Sequence, residues 1–368
     1  MTGFSGGAYL KYTVFTPGRT ELAGNHTDHQ NGRVLAQSVH LGHSAVFEAN
    51  NSGLIRINSI GFAPIELRAG KSSPIPGEYG SGRALVRGMV SVFKDLGLSV
   101  GGFDAEVTSN LPTGSGLSSS AAFAVLIGKI LNVLFNGGEI EPIVLARAAR
   151  EAENEFFGKP CGLMSQLVCA MGGCVYADFS TNEITPVNAG FASMGLTLCL
   201  TDTGGSHAGL DSSYARIPAD MRYIANYFDK GVLADVDAKR FYDMKWSKDD
   251  RPVRRAMHFF AENERVPKMR DALIAGNGEE YMRLMNESGR SSEELLNNII
   301  TSATGDTKLA EGIDLSAKLL KGKGAWRVHG GGFAGCVQAL MPDDYFEEYK
   351  TEMEKKFGIE TCVKIKSI

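Results

Sequence analysis

Cysteine is scarce in this chain: Cys161, Cys169, Cys174, Cys199, Cys336 and Cys362 are 6 among 368 residues, and none of them has CxxC spacing. A disulfide-stapled scaffold and a paired-cysteine zinc module are therefore excluded, and the thiols read as reduced core residues. Excess positive charge is missing as well. Lys and Arg number 38 against 42 Asp and Glu, a net charge of −4, so no global basic field points to nucleic acid or an anionic membrane. No apolar run reaches the roughly 18 residues that a membrane helix needs, and the opening MTGFSGGAYLKYTVF has no basic stretch leading into an apolar one. The expectation is a cytoplasmic protein that takes neither nucleic acid nor membrane as partner. Internal repeats and low-complexity tracts are also absent.

Glycine, by contrast, is abundant: 44 residues, about 12% against a usual level of roughly 7%, without a period-three repeat. Sites lined by backbone are worth seeking. Short strands punctuated by Gly, Asn and Pro fill the first hundred residues, with apolar alternation over 47–57 and at Phe103, Ala105 and Val107. Leu85, Met89, Val92, Phe93 and Leu96 predict a helix over 84–96 that stops at Gly97. The apolar run 121–134 predicts a buried helix, and Pro142 opens another that closes at Gly158. After strands at 174–177 and 194–201, charge-rich amphipathic helices are expected around 211–229, 253–264 and 277–299. A strand, loop and strand over 325–340, a helix over 343–356 and a last strand over 361–366 follow. This mixed order predicts an α+β fold of two domains, 1–195 and 196–368, and not a regular βαβ wind.

Three segments carry chemistry. In LPTGSGLSSSAA, residues 111–122, a small-residue loop runs straight into the apolar helix. Glycines let a ligand approach the backbone, and unpaired amides at the helix start attract phosphate oxygens. Its serines add donors or a ligand for Mg²⁺, although the GKS or GKT ending of a Walker loop is missing. Gly330 to Gly335 spell GxGxxG, yet a strand follows and no helix does, so a tight turn is the better reading than a dinucleotide fingerprint. In PGRTELAGNHTDH, residues 17–29, Arg19 suits a transferring phosphoryl group and Asp28 suits paired hydroxyls of a polyol. Glu153, at the end of a helix of small apolar residues, can complete a Mg²⁺ site with a loop serine. His26 with His29, and His40 with His43, lack a third ligand motif for zinc.

Together these segments resemble the GHMP kinase superfamily, and within it the galactokinases. PGRTELAGNHTDHQNG is similar to their sugar signature, LPTGSGLSSSAA to their phosphate loop and HGGGFAGC to their third motif; EAENEFFGKPCGLMSQ, RRAMHFFAENERV and LMNESGRSS agree in order. The resemblance implies a GHMP kinase fold, with an N-terminal domain like ribosomal protein S5 domain 2 and a ferredoxin-like C-terminal domain. It implies ATP phosphates on Gly114, Ser115, Gly116, Leu117, Ser118, Ser119 and Ser120, and Mg²⁺ on Ser120 and Glu153. Galactose or a related hexose would meet Asn25, His26, Asp28, Gly162 and Tyr214, while Arg19 flanks the reacting hydroxyl. Two departures stand out. Ser165 occupies the place of the Asp that serves as base in PCGxMDQ, and Asn25 that of the Glu in GEHTDY. A galactokinase with a re-tuned chemical step is the leading expectation, as a monomer or weak homo-oligomer. A kinase for another hexose or polyol, and a non-catalytic sugar- and nucleotide-binding regulator, are the alternatives.

Overall fold

Where the N-terminal sequence alternates, the computed structural model, which describes residues 10–112, 116–206, 209–247, 249–301 and 303–366, has strands. The first part of the chain forms β1 (Tyr12–Ala23), β2 (Arg33–Asn50), β3 (Leu54–Ser59), β4 (Ile65–Arg68), α1 (Gly82–Asp95), β5 (Gly102–Ser109), α2 (Ser119–Phe135), α3 (Pro142–Glu151) and α4 (Met164–Met171). There follow β6 (Cys174–Asp178), β7 (Glu183–Pro186), β8 (Leu196–Asp202), α5 (Asp211–Tyr227), α6 (Ala238–Tyr242), α7 (Arg251–Ile274) and α8 (Gly278–Ser291). The chain ends with α9 (Lys308–Leu320), β9 (Ala325–Val328), β10 (Cys336–Pro342), α10 (Phe346–Phe357) and β11 (Cys362–Lys364).

These elements form two compact units whose segments interleave along the chain. One holds Met1–Gly18, Leu41–Leu111 and Ser118–Met171; the other holds Arg19–His40, Pro112–Leu117 and Gly172–Ile368. The division differs from the single cut expected at 195. Strand pairing decides it: the first half of β2 pairs antiparallel with β6, from Arg33 opposite Asp178 to Gln37 opposite Cys174, and so joins the second unit.

In the first unit the second half of β2 pairs antiparallel with β5, β5 pairs parallel with β3, and β3 pairs antiparallel with β4. Ala45, Phe47, Ile55, Ile57, Phe103, Ala105 and Val107 are buried while their neighbours alternate outward, which is the period-two pattern read from the sequence. Helix α1 starts where Ser81 Oγ accepts from the Ala84 amide at 3.2 Å. Helix α2 is apolar over most of its surface and buried through most of its length. Close packing needs glycine here: a Cβ on Gly88 of α1 would stand 2.8 Å from Ala152 Cβ. Helix α3 runs on into a π turn, Ala152–Phe157, which closes at Gly158 with φ +78°.

In the second unit β6 pairs with β7, and a separate four-stranded sheet has the order β11-β8-β10-β9, antiparallel throughout. Cys199, Ala339, Met341 and Cys362 pack with Leu320 of α9 and with Phe346, Tyr349 and Met353 of α10. Alternate residues carry a polar layer instead, in which Arg327 Nε donates to its cross-strand partner Gln338 at 2.9 Å. A second core joins α5, α6 and α7 through Ile217, Met221, Phe241 and Phe259, with Trp246 packed against it. The other tryptophan, Trp326, lies on β9 against the α9 side. Among the described residues no helix is long and apolar enough to cross a membrane.

Candidate functional site

The sugar-signature segment lies in the second unit, where the polar layer of the sheet holds it. Gln338 Nε2 donates to Thr20 Oγ1 and to the Glu21 carbonyl, both at 2.8 Å, and Arg327 Nη2 reaches the Glu21 carboxylate at 3.1 Å. Burial pushes the Glu21 carboxyl above its ordinary range despite Arg327 and Arg19. Glu262 shows the opposite balance. Burial alone would raise it, but Arg265, His258 and Arg327 outweigh that and hold it at about 2. Its carboxylate accepts from the Gly24 amide at 3.0 Å and from Ser288 Oγ at 2.8 Å, so it fixes the backbone at the head of the signature.

Asn25 is buried, and its amide is fully engaged. Nδ2 donates to the Gly330 carbonyl at 2.7 Å and to Glu21 at 3.2 Å, while Oδ1 accepts from Ser292 Oγ at 3.3 Å and Asn298 Nδ2 at 3.2 Å. The Asn25 carbonyl accepts from His258 Nε2 at 2.9 Å. Asn25 therefore ties the signature to the glycine turn. His26 does the same, with Nε2 3.1 Å from the Gly331 carbonyl. A carbonyl only accepts, so Nε2 carries the proton, Nδ1 accepts from His29 Nε2 at 3.2 Å, and His29 Nδ1 faces Gln30 Nε2. Both rings are neutral in this chain of donors. Burial lowers His26 to about 4 and takes His29 well below its ordinary value. Asp28 is half-buried in a 3-10 turn, Asp28–Gln30, and its Oδ1 accepts from the His29 amide at 2.8 Å.

The glycine turn is shaped by close approach. A Cβ on Gly331 would stand 2.8 Å from the Tyr214 ring, and one on Gly332 would be 2.1 Å from the Asn298 carbonyl. Tyr214 Oη donates to the Gly332 carbonyl at 2.8 Å. Phe333 adopts φ +59°, uncommon without glycine. The reading of 330–335 as a turn and not a dinucleotide loop agrees with β10 following it. Arg19 completes this group: its Nη1 donates to the Gly116 carbonyl at 2.8 Å and its amide to the Leu117 carbonyl at 3.1 Å. His329 Nε2 lies 3.0 Å from Thr20 Oγ1, and a Cβ on Gly116 would be 3.0 Å from its Nδ1.

The first unit holds the other group. Ser118, the residue after Leu117, takes φ +62° as N-cap of α2, and its Oγ donates to Ser165 Oγ at 3.1 Å. His43 Nε2 donates to the Ser119 carbonyl at 3.1 Å, fixing the first turn. Ser120 Oγ donates to Glu153 Oε1 at 2.6 Å, and Gln166 Nε2 donates to the other carboxylate oxygen. Lys159 Nζ stands 3.8 Å from Glu153 Oε1. Glu153 reaches this place from the π turn, a device frequent at functional sites. A buried carboxylate oxygen and a hydroxyl at 2.6 Å form a hard-oxygen pair that suits Mg²⁺, which takes one or two such groups and fills its shell with phosphate and water. Gly162 lies between the π turn and α4, half-exposed, three residues before Ser165. Gly114 and Ser115 fall outside the described residues.

The sequence reading did not single out Glu21, Glu262, Gln166, Ser292, Asn298, Arg327 or His329. Most of them sit inside the ordered stretches that carry the resemblance, which was the one available signal, since many of their partners are hundreds of residues away.

Comparison with known proteins agrees with this architecture. Residues 84–173 match the GHMP kinases N terminal domain, and residues 5–47 match the galactokinase galactose-binding signature. The chain carries a GHMP kinase N-terminal domain and shares the fold of that superfamily. Within that superfamily it is similar to galactokinases. A galactokinase from Clostridium tetani (strain Massachusetts / E88) is 28% identical over 355 residues, covering 94% of this chain and 87% of that protein. The crystal structure of Lactococcus lactis galactokinase complexed with galactose superposes with a TM-score of 0.84 at 22% identity, over 97% of this chain and 93% of that one. Methanococcus jannaschii mevalonate kinase gives 0.67 at 17% identity, over 99% of both chains.

Proposed function

We propose that the chain is an ATP-dependent sugar kinase that transfers the γ-phosphoryl group to the anomeric hydroxyl of galactose, with a serine where the usual base would stand. The observation that carries this reading is the group at the start of α2: Ser120 on Glu153 at 2.6 Å, with Ser118, two residues earlier, on Ser165 at 3.1 Å. A binding protein without turnover has no need of the first pair. The match to a galactose-binding signature and the similarity to galactokinases supply the sugar.

In this reading the backbone and hydroxyls of 114–120 receive the ATP phosphates, with the positive end of α2 behind them. Ser120 and Glu153 would hold Mg²⁺, which when bound would supply charge neutralisation on those phosphates. Asp28, Gly162 and Tyr214 hold the sugar, His26 braces the signature against the glycine turn through the Gly331 carbonyl, and Arg19 stabilises charge at the transferring group. The anomeric oxygen bonds to the γ-phosphorus, the bond to the β,γ-bridging oxygen breaks, ADP leaves, and the hydroxyl proton passes by way of a phosphoryl oxygen to solvent. Ser165 cannot take that proton at its own pKa and instead orients the nucleophile. Positioning and charge stabilisation supply most of the acceleration in phosphoryl transfer, whereas a general base adds about 10²–10⁴-fold, so turnover survives its loss at a reduced rate. Asn25 acts by holding the signature against the glycine turn, since its amide is engaged within the protein.

Ser165 also favours a second reading, a sugar- and nucleotide-binding regulator. Single-turnover formation of galactose 1-phosphate from galactose and MgATP, in this chain and in Ser165→Asp, separates the two. Product from the present chain, accelerated about 10²-fold or more by Asp, establishes a kinase without its base. Binding of both ligands with no product from either protein establishes the regulator.

A further inference from the structure

The second unit contains a cavity of about 260 Å³ that the proposed reaction does not use. Three guanidinium groups line it, those of Arg216 on the first turns of α5 and of Arg251 and Arg255 at the start of α7, and no carboxylate is among the lining residues described. A carboxylate outside the lining, that of Asp220, pairs with two of these cations. It is chelated by Arg251, with Nε to Oδ2 at 2.6 Å and Nη2 to Oδ1 at 3.2 Å, and it also accepts from Arg255 Nη1 at 2.8 Å. One negative charge thus anchors two cations, and no carboxylate among the described residues forms an ion pair with Arg216. Arg255 is buried, with its Nε donating to the Leu296 carbonyl at 3.1 Å, so it has no freedom to swing toward solvent. Burial and the neighbouring Arg251 and Arg216 lower its pKa, the mark of cations held together against their repulsion. The rest of the wall is suited to oxygen: it includes the Ser213 and Thr301 hydroxyls, 3.1 Å apart, and Phe333.

We propose that this cavity is a binding site for a phosphomonoester. The anchored guanidinium groups of Arg251 and Arg255, joined by Arg216, suit phosphate oxygens, hydroxyls serve a further oxygen, and a dianion offsets the surplus charge gathered there. A volume of about 260 Å³ admits a phosphate group with a small body. Phe333 stacks edge-on against Tyr214 at 5.6 Å, so occupancy bears on the residue beside the glycine turn. The lining shares no residue with the proposed kinase site, and the proposal does not depend on that reaction.

Calorimetric titration of the full chain with inorganic phosphate, and separately with glucose 6-phosphate, tests the proposal. The expected result is a Kd of about 1 mM or tighter for at least one of them. It should weaken about tenfold or more in Arg216→Ala, recover in Arg216→Lys, and stay unchanged in Ser120→Ala, which alters the other anion-binding loop. Arg216 is exposed, so its substitution leaves the melting temperature in place. If glucose 6-phosphate binds about tenfold more tightly than inorganic phosphate, the ligand is a phosphosugar; equal affinities make it free phosphate. Affinity that falls in Ser120→Ala and is indifferent to Arg216, or no saturable binding of either anion, overturns the proposal.

Discussion

Asn25 shows how a single replacement can reorganise a site. Its amide donates to Gly330 and Glu21 and accepts from Ser292 and Asn298. Removing it in Asn25→Ala strands buried polar groups on four sides, and urea denaturation should report a loss of about 2–4 kcal/mol. Asn25→Glu, which restores the residue common in the resembling family, should cost at least as much. A carboxylate cannot donate to the Gly330 carbonyl, and it would add an acceptor beside the buried Glu21. Stability equal to the parent in Asn25→Glu would show that the pocket adapts to either residue. The histidines make a second prediction at this scale. His26, His29, His258 and His329 all have pKa values lowered by burial, so the unfolded chain binds more protons than the folded one once pH falls below about 6.5. Their stabilising effect is complete above that value and is lost as pH falls toward the folded pKa, about 4 for His26. Glu21, raised by burial, acts in the opposite sense, so a variant is needed to isolate one ring. In His26→Asn the slope of unfolding free energy against pH between 6.5 and 5 should fall by up to one proton. Of these residues only Asn25, His26 and His29 drew notice in the sequence, because burial and long-range partners leave no local trace.

Among the elements, the π turn at Ala152–Phe157 decides where the carboxylate of Glu153 sits, and α1 packs directly on it. Gly88→Ala would improve the intrinsic helix propensity of α1 by about 1 kcal/mol. The added methyl group has no room, however, because it would lie 2.8 Å from Ala152 Cβ and 3.0 Å from Ala152 Cα. Overpacking of about 1–3 kcal/mol should outweigh the gain, and a thermal melt that rises instead would show that α1 can slide. Gln166, which donates to Glu153 from α4, positions that carboxylate without touching a ligand. Gln166→Ala should weaken Mn²⁺ binding, read by electron paramagnetic resonance, by about 10–100-fold while the far-UV circular dichroism stays the same. Helices of this kind were legible from spacing, as α1 and α2 show. The π turn was not, since Ala152 to Phe157 continue the helical pattern of α3 without a break. The spacing predicts that helix α7 ends near 264; it continues through Pro267 to Ile274, because Val266, Met269, Ala272 and Leu273 bury enough apolar surface to offset the proline.

For the whole molecule, the order of segments along the chain is the governing fact. Residues 19–40 and 112–117 belong to the second unit, although composition placed them with the first. A fragment cut at the compositional boundary, residues 196–368, lacks β6 and β7 and the Thr20 and Glu21 partners of Gln338 and Arg327. It should show no cooperative urea transition, and a sharp one would mean that its own four-stranded sheet suffices. The α+β class could be read from the alternation of strand and helix patterns, whereas interleaving could not, since strand partners are chosen in three dimensions. The placement of the two tryptophans adds an optical asymmetry. Trp246 and Trp326 both lie in the second unit, so intrinsic indole emission follows that unit and is blind to the one that carries Ser118, Glu153 and Ser165. Ellipticity at 222 nm sees the helices of both, and the gap between the two signals during unfolding is a built-in measure of how independently the halves let go.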